Sequence, residues 1–151
     1  GAEKAYTFLR EKGFAEAFCG HVRACIRTHR FRKAEQPVSI EARILFDADK
    51  LDVAGAIGIA RTLEYNAETG RPIYTRDDRG RVSDGSEDTA DSFFREYKFK
   101  LEGIYGHFLT RRGAELAAQR QQAARDFYAA LLREVRDDAG HEVLSAQLTD
   151  A

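Results

Sequence analysis

The sequence has no long apolar run, no excess of charge of one sign and few prolines. No stretch approaches the roughly 20 apolar residues of a membrane-spanning helix, and the first residues lack the apolar core of a secretion signal. Charged residues make up 32% of the chain at a net charge of −1, which excludes the basic surface of a dedicated nucleic-acid binder. We therefore expect a cytoplasmic protein with neither membrane nor nucleic-acid partners.

Cysteine is scarce and methionine is absent. Cys19 and Cys25 are six residues apart on a predicted helix, a spacing that excludes a local disulfide and favours reduced thiols. No further pair of cysteines or histidines at motif spacing completes a zinc site. Because the 151 residues contain no Met, we expect them to be part of a longer protein, and their number fits one domain.

The spacing of apolar residues, at intervals of three and four, predicts a compact all-α bundle of five or six helices without a sheet. Gly13 is expected to end the first helix, which begins near Glu3. Ser39 is expected to cap a helix that carries apolar residues at positions 40, 44 and 45. Thr110 is expected to cap the last long helix.

The segment from residue 66 to residue 90 differs from the rest of the chain. It is rich in Gly, Asp and Arg and has few apolar residues to anchor it. This composition predicts a long, irregular and mobile loop, a kind of segment that often borders a functional site.

Three carboxylates, Asp47, Asp49 and Asp52, occur within six residues beside a mostly apolar run. Such a cluster is costly unless the carboxylates are solvated, paired or bound to a cation. On a helix Asp49 and Asp52 share a face, whereas Asp47 points elsewhere. Carboxylate oxygens suit Mg²⁺ or Mn²⁺. A helix cap with a solvated flank explains the same spacing, and the spacing alone does not decide between the two.

Residues 46–52 (FDADKLD) and 55–61 (GAIGIAR) resemble the second half of the bacterial HD-domain phosphohydrolases. The pattern of that family is a His, then a His-Asp pair, then a later Asp within Ala-Asp-Arg/Lys-Leu. The similarity extends to residues 26–31 (IRTHRF) and 70–74 (GRPIY), and to Lys100-Leu101 and Thr110. The resemblance covers most of the chain and implies an HD-type helical bundle with metal-dependent phosphohydrolase activity.

The resemblance also implies roles for individual residues. It makes Asp49 the final metal-binding Asp, His29 the histidine near the bound phosphate or a second metal, and Lys50 the basic residue beside the metal ligand. The residues implied to contact the substrate are Asp52, Arg61 and Lys100. Without the resemblance, a His at the end of an apolar helix is more often a capped core histidine.

The family's first His and its His-Asp pair have no counterpart, since no His-Asp dipeptide occurs in the sequence. We expect those residues to precede Gly1, and the chain alone to be inactive. In the intact protein a divalent ion (Mn²⁺, Mg²⁺ or another transition metal) would activate water toward a phosphate ester, with a nucleotide as the favoured substrate. His29 or Lys50 would stabilise the developing charge. Asp49 is expected to face a cavity. Asp47→Ala is expected to serve as a control for activity, because Asp47 points away from Asp49 and the resemblance gives it no metal bond.

The competing hypothesis is a non-catalytic module that binds an anionic ligand through the basic run Arg30-Phe31-Arg32-Lys33. A solvated connector explains the same run. A His-Asp pair upstream of Gly1 would favour the enzyme. The long final helix is, under either hypothesis, a candidate surface for a homo-oligomer.

Overall fold

The computed structural model describes the backbone of residues 1–30 and 35–149 and the side chains of residues 1–30 and 35–137. Within these ranges the chain is helical apart from its loops and one isolated bridge between Arg76 and Val82, which confirms the all-α prediction. The described α-helices are α1 (Ala2–Glu11), α2 (Glu16–Thr28), α3 (Ile40–Leu51), α4 (Gly55–Glu68), α5 (Phe93–Glu96) and α6 (Arg111–Thr149). A π-helical turn (Tyr97–Leu101) continues α5, and a 3₁₀ turn (Ile104–Gly106) precedes α6. No helix in these ranges has both the length and the apolar character that a bilayer span requires.

Local capping determines where three of the helices begin or end, as the sequence predicts. Gly13 follows α1 with a positive φ of 83°, a backbone conformation that favours glycine. Ser39 Oγ accepts a hydrogen bond of 3.2 Å from the Ala42 backbone nitrogen at the start of α3. Thr110 Oγ1 accepts one of 3.0 Å from the Gly113 backbone nitrogen at the start of α6.

The buried face of α3 is not its most apolar face. Ile40 and Ile44 are 57% and 55% exposed, and Leu45 is also exposed. The buried residues of α3 are Ala42, Phe46, Asp47 and Lys50. The apolar spacing therefore does not mark the inward face of this helix. The neighbours of α3 are α2 and α6, and Asp47 makes the contact with the start of α6.

The core lies between α4, α5, the π-helical turn and α6, and it is strongly aromatic. It consists of Ile59, Val82, Phe93, Phe94, Tyr97, Leu101, Ala124 and Tyr128. The rings of Tyr97 and Tyr128 are stacked, with centroids 4.1 Å apart and planes 5° from parallel. Burial raises the pKa of Tyr97 to about 12 and also raises the pKa of Tyr128. This core attaches the N-terminal half of α6 to the rest of the bundle.

The loop between α4 and α5 is long and irregular, as predicted, but it is well anchored. Val82 is 5% exposed and belongs to the core. The Asp88 carboxylate accepts hydrogen bonds from the hydroxyls of Thr75 and Ser83, and the Tyr128 hydroxyl donates to the Asp84 carbonyl. The loop has few apolar anchors, as predicted, and Val82 and Tyr74 are those that pack in or against the core. Its mobility stays a prediction.

Candidate functional site

Asp49 lies near the C-terminal end of α3, as predicted, but it is exposed rather than turned toward a cavity. The prediction of a cavity-facing carboxylate is therefore wrong. The cause is the orientation of α3, whose solvent-facing arc carries Asp49. Among residues 1–30 and 35–137, no group of three or more His, Cys, Asp or Glu side chains could hold a metal ion. Asp49 fits one carboxylate position of such a site, and the other ligands would have to come from elsewhere.

Asp47, two residues earlier, is only 3% exposed and binds the start of α6. Its Oδ1 accepts a hydrogen bond of 2.8 Å from the Leu109 backbone nitrogen. Its Oδ2 accepts bonds of 2.8 Å from the Thr110 backbone nitrogen and 2.6 Å from the Thr110 hydroxyl. Truncating Asp47 would leave these donors without their partner, so Asp47→Ala would also change the packing of α6 and is a poor control for Asp49→Ala. The interpretation of the cluster as a helix cap with a solvated flank does not hold for Asp47, which is buried within α3 and paired with residues at the start of α6.

Gly113 allows this carboxylate to approach α6 closely. A Cβ atom at residue 113 would lie 2.3 Å from Asp47 Oδ2 and 2.9 Å from Thr110 Oγ1. Both distances are shorter than van der Waals contact. Asp47, Thr110 and Gly113 therefore form one packed unit, which we call the α3–α6 clamp. The N-terminus of α6 also favours the negative charge through the helix dipole.

Lys50 is 6% exposed, and its ammonium lies 3.4 Å from the centroid of the Phe46 ring. Burial lowers the pKa of Lys50, while the negative charges of Asp49 and Asp47 oppose that shift. The structure thus places Lys50 on the buried arc of α3 and Asp49 on the exposed arc. A role for Lys50 in stabilising phosphoryl charge stays a prediction.

The residues expected to contact the substrate lie in ion pairs. Asp52, just after α3, pairs with Arg61 of α4, and both side chains are at least half-exposed. Lys100, in the π-helical turn, pairs with Glu96 at 2.8 Å and is largely exposed. The structure therefore brings Asp52 and Arg61 together. It shows no contact of Lys100 with either of them.

His29 follows the last residue of α2, and its Nδ1 lies within hydrogen-bonding distance of the Ile26 carbonyl. It lines an open groove of about 570 Å³ between α1 and the end of α2. None of the residues that line this groove belongs to α3, so this groove does not join His29 to Asp49. Residues 31–33 of the basic run lie outside the described residues.

A cavity of about 1000 Å³ is formed by residues of the loop between Arg76 and Thr89 together with Arg136 of α6. Four arginines and five carboxylates line it. Arg81 contacts the Asp77 carboxylate at 2.7 Å and lowers the pKa of Asp77, and Arg136 donates to the Val82 carbonyl. Because the lining has no excess of positive charge, the cavity does not favour an anionic ligand.

The corner between α3 and α4 is held by two residues, Tyr105 and Arg120, that no sequence pattern indicates. The Tyr105 hydroxyl accepts a hydrogen bond of 2.9 Å from the Gly55 backbone nitrogen, and Arg120 Nη1 donates one of 2.7 Å to the Leu51 carbonyl. Gly55 has a positive φ of 76°. The partners are 50 and 69 residues apart in sequence. No local signal could therefore have revealed these contacts.

The geometry resembles that of solved bacterial proteins. The chain is 29% identical to the uncharacterised protein YpgQ of Bacillus subtilis over 106 residues, which cover 70% of this chain and 45% of YpgQ. A structure of YpgQ in complex with ADP matches 89% of this chain and 64% of its own, with a TM-score of 0.69 at 24% identity. An HD-superfamily hydrolase from Bacillus thuringiensis matches 89% of this chain and 62% of its own, with a TM-score of 0.65 at 28% identity.

The fold is HD-like. No protein-family model matches the sequence. The chain spans less than two thirds of the length of each of these relatives. The HD-like fold agrees with the resemblance of the residues around Asp49. The activity of the complete protein and the ligands it binds are proposals.

Proposed function

We propose that this chain is the C-terminal part of a metal-dependent phosphohydrolase, with Asp49 as one metal ligand and a nucleotide or related phosphate ester as substrate. The observation that carries the proposal is the position of Asp49. It is an exposed carboxylate on an HD-like fold, within the FDADKLD stretch that resembles the metal-binding segment of HD-domain enzymes. A carboxylate oxygen is a suitable ligand for Mn²⁺ or Mg²⁺.

The exposed side of α3 suggests where the remaining metal ligands come from, namely a further segment of the complete protein. Ile40, Ile44 and Leu45 share the solvent-facing side of α3 with Asp49, and Val38, just before the helix, is 82% exposed. Several exposed apolar side chains on one side of a helix are typical of an interaction site. We propose that a helical segment of the complete protein packs on this arc and brings its histidine and carboxylate ligands beside Asp49. The match covers 64% and 62% of the two solved relatives, so those proteins contain further residues from which such a segment could be formed.

The bound ion would lower the pKa of a water molecule and polarise a phosphoryl oxygen. The protein's own contribution would be to hold and orient the ester. Arg61, whose guanidinium is half-exposed beside Asp52, could exchange that carboxylate for a phosphate oxygen. Lys50 and Lys100 are proposed to act on the phosphate through their ammonium groups, and His29 through a hydrogen bond. YpgQ has been solved with ADP, which makes nucleotides the first substrates to test.

The direct test is phosphate release by the complete protein with Mn²⁺ and a panel of nucleoside mono-, di- and triphosphates. Asp49→Asn should reduce turnover by at least about 100-fold, because it removes a charged metal ligand but preserves the shape of the side chain. Glu41→Gln is the matched control, since Glu41 is an exposed carboxylate on the same helix that pairs with His21. It should retain the turnover of the wild type.

Three outcomes separate the hypotheses. Activity lost in Asp49→Asn and retained in Glu41→Gln supports the enzyme. Equal activity in the wild type and Asp49→Asn rejects Asp49 as a metal ligand. A wild type that binds ADP but releases no phosphate from any substrate favours a non-catalytic nucleotide-binding module.

A further inference from the structure

The α3–α6 clamp is the only place among the described side chains where a buried carboxylate of α3 binds another helix. Asp47 accepts three hydrogen bonds, all from Leu109 and Thr110 at the start of α6. A carboxylate held by three donors fixes both its own position and the rotation of the helix that carries it. Because successive residues on a helix are about 100° apart, the rotation of α3 also determines where Asp49 points.

We propose that the clamp positions Asp49, so that Asp47, Thr110 and Gly113 are positioning residues for the site described above. This inference rests on the proposed function. Residues two apart on a helix lie about 200° from each other, so burial of Asp47 against α6 directs Asp49 away from α6 and into solvent. Gly113 keeps α6 close enough for the contact, and Thr110 supplies two of the three donors.

The Thr110 hydroxyl allows the clamp to be weakened without changing the size of the side chain. It donates to Asp47 and accepts from the Gly113 backbone nitrogen. Thr110→Val removes both bonds and Thr110→Ser retains the hydroxyl. Tyr128→Phe is the control, because it removes a hydroxyl hydrogen bond that α6 makes to Asp84 in the α4–α5 loop and not to α3.

The first measurement is hydrogen exchange of the α3 amides in the 151-residue chain, at a temperature at which every variant is folded. Thr110→Val should accelerate exchange of the amides at residues 47–51 about tenfold relative to Tyr128→Phe, which corresponds to about 1.4 kcal/mol of local opening. Thr110→Ser should match the wild type. Equal α3 exchange in Thr110→Val and Tyr128→Phe would overturn the clamp.

The second measurement is Mn²⁺ affinity of the complete protein, followed by the loss of the free-ion electron paramagnetic resonance signal. Thr110→Val should weaken binding about tenfold, while Thr110→Ser and Tyr128→Phe retain wild-type affinity. Faster α3 exchange with unchanged Mn²⁺ affinity would overturn the positioning role. A wild type that binds no Mn²⁺ would instead overturn the proposed function, together with the positioning role that rests on it. The exchange data alone would then decide whether the clamp exists.

Discussion

Asp47 and Asp49 lie two residues apart on α3 and in opposite environments, one buried against α6 and the other exposed to solvent. The two carboxylates also differ in the contacts they make. Asp47 satisfies backbone donors at the start of α6 that would otherwise be unpaired. Asp49 has no comparable structural duty, which agrees with the ligand role proposed for it.

Asp47→Ala should destabilise the chain by about 3 kcal/mol, because it removes a charged acceptor and leaves buried donors unpaired. Asp49→Ala should change the free energy of unfolding by less than about 0.5 kcal/mol, as is usual for an exposed side chain. Urea unfolding of the two variants measures the difference. Equal destabilisation by both substitutions would contradict the difference in burial between Asp47 and Asp49.

Gly113→Ala and Gly20→Ala should have effects of opposite sign. A Cβ at residue 113 would meet Asp47 Oδ2 at 2.3 Å, so Gly113→Ala should cost about 1–3 kcal/mol. Gly20 lies within α2, and a methyl group added there would have no atom within 4 Å, so alanine should stabilise the chain by about 0.5–1 kcal/mol. Thermal unfolding compares the two. Stabilisation by both substitutions would argue against close packing at the clamp.

Folding stability should fall at alkaline pH because of the buried tyrosines. Burial raises the pKa of Tyr97 from 10.0 to about 12, so the folded state holds this proton more tightly than the unfolded state does. The resulting stability is fully present below pH 10.0 and is lost as the pH rises through about 12. Tyr97→Phe should make the decline of unfolding free energy across this range shallower. An unchanged slope in that variant would contradict burial as the cause.

The helix ends could be predicted from sequence, whereas the orientation of α3 could not. Gly13, Ser39 and Thr110 act within one turn of their own helix, so local residue type is enough to predict a cap. Which arc of α3 is buried depends on contacts with α2 and α6. The apolar residue Ile44 is consequently exposed, although its spacing indicates burial.

The site could be predicted only in part. Asp49 could be identified from sequence as a candidate metal ligand, because the FDADKLD stretch that carries the resemblance is contiguous in the chain. The partner of Asp47 is 63 residues away in sequence, at Thr110, and no local pattern indicates that pairing. The ion pairs of Arg61 and Lys100 are likewise visible only once the helices are placed.

The exposed apolar arc of α3 gives a prediction that distinguishes the 151-residue chain from the complete protein. Ile44→Gln should leave the stability of the 151-residue chain within about 0.5 kcal/mol of the wild type, because Ile44 is already 55% exposed. In the complete protein it should cost about 1–3 kcal/mol, since a covering segment would bury the side chain. Phe46→Ala, at a buried position, should cost about 3–5 kcal/mol in both. An equal, small effect of Ile44→Gln in both would show that nothing packs on this arc.

Metal binding by the complete protein tests the central claim, that Asp49 is a metal ligand, most directly. Mn²⁺ titrations followed by electron paramagnetic resonance would compare the wild type with Asp49→Asn and Glu41→Gln. We predict that the wild type and Glu41→Gln bind Mn²⁺ with equal affinity, and that Asp49→Asn weakens binding by about 10- to 100-fold. Wild-type affinity in Asp49→Asn would contradict the claim.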